Sequence, residues 1–168
     1  MTRRFKPLAL AVIGAALCAV GSMPPANAQS NEAVLTVNAN VSNTCDVTSQ
    51  PSTLNMGYDP MNDSPSLGTS SFTYTCTNGA SVYVTPYSSN YTGGSSWYTT
   101  MSGNYLYYTL WNDQSCQSNQ LTQNSAEYLG GGTGSSQTYY ICAIPNTGQT
   151  SVPAGTYGDT VTFTFNFG

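Results

Sequence analysis

The chain predicts an all-β fold, a sandwich of short strands. Three observations carry that reading. No window repeats apolar residues at i, i+3, i+4 and i+7 over three turns, so the helical period is missing. Ser, Thr, Asn, Gly and Tyr dominate instead, and short alternating segments are separated by turn dipeptides. Thirteen Tyr, five Phe and two Trp give so polar a chain enough aromatic surface to form a core, which disordered chains lack.

The elements follow in order. Arg3, Arg4 and Lys6 precede an uncharged apolar run from Leu8 to Val20, and Ala26-Asn27-Ala28 closes it as an A-x-A site. That is the pattern of an export signal spanning 1–28, with the mature chain starting at Gln29. Cys18 follows Leu17 rather than a small residue, so removal with the signal is expected, not lipidation. The next alternating stretch sets Ala33, Leu35, Val37, Ala39 and Val41 on one face and Val34, Thr36, Asn38 and Asn40 on the other. Further strands are expected at Asp46–Ser49, Thr53–Gly57, Ser70–Cys76, Ser81–Pro86, Tyr105–Trp111, Gln137–Ile144 and Tyr157–Phe167. Asp59-Pro60, Asn78-Gly79, Gly93-Gly94, the stretch from Gly130 to Gly134 and Pro145-Asn146 mark turns or loops between them. The last strand alternates most cleanly: Val161, Phe163, Phe165 and Phe167 face one way, Thr160, Thr162, Thr164 and Asn166 the other. An outer edge of that length invites pairing with another chain.

Charge excludes several functions. All three basic residues lie in the signal, and the chain has no His. Zero minus the seven acids (Glu32, Asp46, Asp59, Asp63, Asp113, Glu127, Asp159) leaves a mature charge of −7. Nucleic-acid binding needs cations to displace counterions from phosphates, so nucleic acid is excluded as a partner. Anionic membrane surfaces are excluded in the same way. Without His or Lys, the many hydroxyls have no usual activating base, and an enzyme is not expected. Asp59 and Asp63 are the closest pair of carboxylates, but Pro60, Asn62, Ser64 and Pro65 around them favour a turn. Asp113 and Asp159 are read in the same way, as loop residues.

The mature cysteines are Cys45, Cys76, Cys116 and Cys142. An even number behind an export signal reads as two disulfides, for which three pairings exist. Pairing of sequence neighbours, Cys45–Cys76 and Cys116–Cys142, is the expected one. Each bridge would close a loop of roughly 30 residues and add about 3–4 kcal/mol in the chain-entropy account. A zinc site fits poorly, since there is neither a C-x-x-C pair nor a histidine. Tyr87, Tyr91, Trp97 and Tyr98 could line a sugar- or surface-binding patch, but covering a sandwich edge or a subunit contact is the favoured reading.

Several motifs in register resemble one family. Asn43-Thr44-Cys45-Asp46-Val47, followed by Leu54-Asn55-Met56-Gly57-Tyr58, resembles the opening of the spore coat protein U domain. Tyr74-Thr75-Cys76-Thr77-Asn78-Gly79 is similar to its second cysteine motif, and the run from Tyr105 to Asp113 to its central strand. The run from Pro153 to Val161 resembles its closing "G-x-Y-x-D-x-V" strand. One departure is Gln114-Ser115-Cys116-Gln117-Ser118, where domains of this family carry a Trp-Gly pair. Within the family the likeness is to the major pilins of archaic, Csu-type chaperone–usher pili.

That resemblance implies an immunoglobulin-like β-sandwich that lacks its last strand and is completed by a donor strand from a neighbouring subunit. It implies residues 29–42 as the donor extension, with Ala33, Leu35, Val37, Ala39 and Val41 as the inserted side chains. It implies residues 43–168 as the pilin domain, with Val161, Phe163, Phe165 and Phe167 on the acceptor strand. The implied partners are other copies of the chain, a periplasmic chaperone and an outer-membrane usher. The implied destination is the cell surface by way of the periplasm, with no cofactor. A secreted monomeric surface or carbohydrate-binding protein, or a spore or cell coat protein, is the alternative.

Overall fold

The computed structural model describes residues 35–168. Residues 35–39 belong to an N-terminal unit and Asn40–Gly168 to a second. The export signal and Ala33 lie outside the described residues.

Among the described residues eleven strands are formed: β1 (Cys45–Ser49), β2 (Gly57–Asp59), β3 (Ser64–Ser66), β4 (Gly68–Cys76), β5 (Ser81–Tyr87), β6 (Tyr91–Gly93), β7 (Ser96–Met101), β8 (Asn104–Trp111), β9 (Glu127–Gly131), β10 (Ser136–Pro145) and β11 (Thr162–Phe167). They make a six-stranded sheet in the order β1-β4-β10-β8-β7-β6, a three-stranded sheet in the order β11-β5-β9, and the hairpin β2–β3. Every pairing is antiparallel.

Period-two alternation explains the two layers. Phe72 and Tyr74 of β4, Tyr139, Ile141 and Ala143 of β10, Tyr108 and Leu110 of β8 and Trp97 of β7 face inward from the larger sheet. Val82 and Val84 of β5 meet them from the smaller one. The intervening residues Thr73, Thr75, Tyr105, Tyr107 and Tyr140 face outward. Phe72 stacks on Tyr139 with ring centroids 5.0 Å apart. Full burial of such side chains contributes about 1.5–3 kcal/mol each.

Two expected strands are corrected. Thr53–Gly57 contributes only Gly57, which opens β2. Leu54 and Met56 do turn toward the core, but no neighbouring strand offers their backbone a ladder. Gly68 lies against this segment so closely that a Cβ there would collide with the Asn55 carbonyl. Tyr157–Phe167 is a strand only from Thr162 onward; before it, Gly158 makes an isolated bridge to Thr100. The turn at Ser102-Gly103 joins β7 to β8 with φ of 48° and 83°, the positive pair that a two-residue type I′ hairpin requires.

Candidate functional site

The register of β11 on β5 determines where its backbone groups point. Ser81 N–H donates to Gly168 O at 2.9 Å, and Gly168 N–H donates back to Ser81 O at 3.1 Å. This is a hydrogen-bonded pair, so by alternation Asn166, Thr164 and Thr162 also turn their amides toward β5. Phe163, Phe165 and Phe167 then direct their N–H and C=O groups the other way, where no strand pairs with β11 among the described residues. Their side chains point inward. Phe163 and Phe165 are half-buried and rest on Phe72 at 5.9 and 5.3 Å, whereas Phe167 is exposed. Pro86 of β5 faces Phe163 across a non-hydrogen-bonded pair, so its missing N–H costs nothing there.

Beside this edge the sandwich is open. A cavity of about 870 Å³ is lined by Leu106, Leu110, Ile141 and Ala143 of the larger sheet and by Leu54, Met56, Val161 and Phe163. Leu54, Met56, Val161 and Phe163 are only partly buried. The core is thus closed by two sheets over most of its extent and uncovered next to the free edge of β11.

One end of the cavity is polar. The Asp159 carboxylate accepts from Tyr108 O–H and Ser88 O–H at 2.6 Å each, Thr160 N–H at 2.7 Å and Asn90 Nδ2 at 3.0 Å. Burial, and after it the bond to Asp159, pushes the Tyr108 phenol far above its ordinary range. The chain segment leading into β11 is therefore tied to β8 and to the loop after β5 by dipoles alone, with no cation.

The other carboxylates are handled the same way. Asp113 accepts from Ser115, Gln117 and Ser118 amides at 2.5, 3.0 and 2.5 Å. Partial burial works against its charge, but these N–H groups prevail and hold it down at about 2. Asp59 is held below its ordinary value by Asn62 and by the Met61 amide. Asp63 is held below it by Tyr58 and by the Gly148 amide. These are loop-forming roles for Asp59, Asp63 and Asp113. Asp159 is more than that, because it gathers partners from β8 and from the loop after β5.

The cysteine sulfurs are bonded as Cys45–Cys76 and Cys116–Cys142. The first ties β1 to β4 across directly opposed residues. The second ties the Asp113–Ser118 loop to β10. Of the residues expected on a donor strand, Leu35, Val37 and Val41 are 84%, 79% and 80% exposed, and Ala39 is exposed as well. Residues 35–44 carry no strand. The aromatic residues Tyr87, Tyr91, Trp97 and Tyr98 do not form one patch. Trp97 is fully buried, with Tyr91 packed on it at 5.0 Å, and Tyr98 instead meets Tyr105 and Tyr107 on the outer face.

The Spore Coat Protein U domain model matches residues 31–164. The chain belongs to the spore coat protein U domain family. Two solved structures are similar to it. One is the CsuC–CsuE chaperone–tip adhesion subunit pre-assembly complex from archaic chaperone–usher Csu pili of Acinetobacter baumannii, at 20% identity and a TM-score of 0.52, covering 76% of this chain and 40% of that one. The other is a chaperone–tip adhesin complex of CFA/I fimbriae biogenesis, at 15% identity and a TM-score of 0.49, covering 73% and 40%. The chain thus spans about two fifths of the length of each of these two chains. No curated protein sequence matches it. For this spore coat U domain the likeness establishes the fold: an all-β, incomplete immunoglobulin-like sandwich.

Proposed function

We propose that the chain is a structural subunit of a surface pilus, assembled on the chaperone–usher pathway by donor-strand complementation. The observation that carries this reading is the unpaired outer edge of β11 beside an open apolar cavity. Residues 1–28 direct export. Residues 29–42 carry the donor strand, and residues 43–168 form the acceptor domain. A periplasmic chaperone covers the groove first; at an outer-membrane usher the extension of the next copy replaces it. The finished pilus supports attachment and biofilm formation.

The energetics suit this role. An inserted strand pairs with the outward amides and carbonyls of Phe163, Phe165 and Phe167, each hydrogen bond contributing about 0.5–1.5 kcal/mol. Leu35, Val37 and Val41, exposed in the single chain, each gain about 1.5–3 kcal/mol on burial. Before ordering costs, the sum is comparable to the net stability of a domain. Head-to-tail donation does not close on itself, so it yields a fibre.

The test is a denaturing gel of cell-surface material, unheated beside boiled, for the wild type and for a variant lacking residues 31–41. Multimers that collapse on boiling and are missing from the variant support the reading. A monomer band in every lane discards it. Leu35→Asp or Val37→Asp should abolish the multimers by placing a charge in an apolar groove. Normal fibres from either variant would sink the donor assignment.

A further inference from the structure

We propose that Tyr83 and Tyr128 form a site of oxidative tyrosine coupling, at which a peroxide-driven one-electron oxidant joins the two rings covalently. Tyr83 of β5 and Tyr128 of β9 are direct partners across the ladder. Their ring centroids lie 5.1 Å apart with planes at 43°, twisted as the rings of a biaryl are. At 39% and 57% exposure, both are open to an oxidant in solution. Strand pairing on either side, Val82 with Gly130 and Val84 with Glu127, holds the rings together. Among the described residues, neither hydroxyl is engaged by a side chain that coupling would have to displace.

The chemistry balances. Each phenol gives up one electron and one proton, and together these reduce one hydrogen peroxide to two waters. The two phenoxyl radicals then join by a single carbon–carbon bond between ortho positions. The two ortho hydrogens shift to oxygen and restore both phenols, so the product is lighter by two hydrogens.

The composition leaves this route open while closing another. After residue 6 the chain has no Lys, so a side-chain amide cross-link cannot form. Aromatic coupling needs no Lys and stays open to a chain this rich in Tyr. The link would close a loop of 128 − 83 = 45 residues and fix β9 to the strand that carries β11. The inference does not depend on pilus assembly, because both rings lie on the outer face of the smaller sheet, away from the groove.

The folded, disulfide-bonded chain is treated with hydrogen peroxide and a haem peroxidase, digested with pepsin and mapped by mass spectrometry. The expected dominant intramolecular product joins the peptides bearing Tyr83 and Tyr128 and is two hydrogens lighter than their sum. Tyr83→Phe and Tyr128→Phe each abolish it, while coupling within Tyr98, Tyr105 and Tyr107 persists as a control for folded protein. The inference is overturned if that product is missing, is no more abundant than the Tyr98–Tyr105 product, or forms equally well in the unfolded, reduced chain.

Discussion

The smaller sheet has two edges, and they are built differently on the same central strand. β9 pairs with β5 through a register break at Val82/Tyr83, carries Glu127 at its start and ends on Gly130 and Gly131, the first at φ +103°. Charge, a bulge and glycine are the devices by which sheets discourage further pairing. β11 has none of them. Its six residues run in unbroken register with β5 and contain no charge, proline or glycine. One edge is defended and the other is left competent to pair. The difference teaches that the openness of β11 is a local property of its sequence, since both strands lean on the same partner.

Several experiments break or sharpen this contrast. The largest effect is expected from Phe165→Ala, which removes the ring packed on Phe72 and Tyr74 at 5.3 and 5.4 Å. It should cost about 3 kcal/mol in urea unfolding of the subunit. Tyr128→Ala on exposed β9 should cost less than about 1 kcal/mol. Equal losses would mean that the two edges are equally part of the core.

Proline separates the two sides of β11. Asn166 turns its amide toward β5, so Asn166→Pro should destabilise the subunit itself, by about 3 kcal/mol. Phe167 turns its amide to the open side, so Phe167→Pro should leave the subunit folded yet yield fewer heat-sensitive multimers than Phe167→Ala. Pro86 already occupies such a position in β5. The reverse order of effects would overturn the deduced register.

Acid tests a loop rather than either edge. The folded Asp113 sits at about 2 against an ordinary 3.8. A depressed carboxylate contributes stability that is complete above its unfolded value and is lost as pH falls through the folded one. Wild-type unfolding stability should therefore drop between about pH 4 and pH 2, and Asp113→Ala should flatten that drop. β11 carries no titratable side chain, so multimers already formed should outlast the subunit's own acid sensitivity. Multimers that dissociate in step with Asp113 protonation would contradict this.

The smallest effect concerns the defended edge. Gly131 has open space at its Cβ position and ordinary backbone. Glu127→Val combined with Gly131→Val should leave the subunit folded and produce a modest rise in light scattering as a second pairing edge appears. Unchanged scattering would show that these two residues do not guard β9.

Much of this architecture was legible in the chain. β4, β5, β8, β10 and the body of β11 are long and strictly alternating, and their inward residues could be read directly. β7 is hidden in the chain because Trp97 and Tyr98 stand side by side and read as one pair of surface aromatics. The alternation of Trp97 and Thr99 against Tyr98 and Thr100, followed by Ser102-Gly103, was the available signal. β2, β3 and β6 are three residues each, too short for a period to show. Thr53–Gly57 misled in the opposite way, since Leu54 and Met56 alternate as a strand would but have no ladder partner. The Asp159 cluster could not be read at all. Ser88, Asn90 and Tyr108 lie 71, 69 and 51 residues away, and only the fold brings them to one carboxylate.

The confinement of every Lys and Arg to the first six residues reaches beyond folding and charge. Proteases of the trypsin type choose their cleavage site by seating a basic side chain against a carboxylate in the specificity pocket. From residue 7 to the terminus this chain presents none, whether folded, half-folded or fully extended. Beyond residue 6 any copy of the chain, with its groove covered or open, is thus invisible to that whole class of enzyme. Its resistance is written into composition and needs no burial to maintain it.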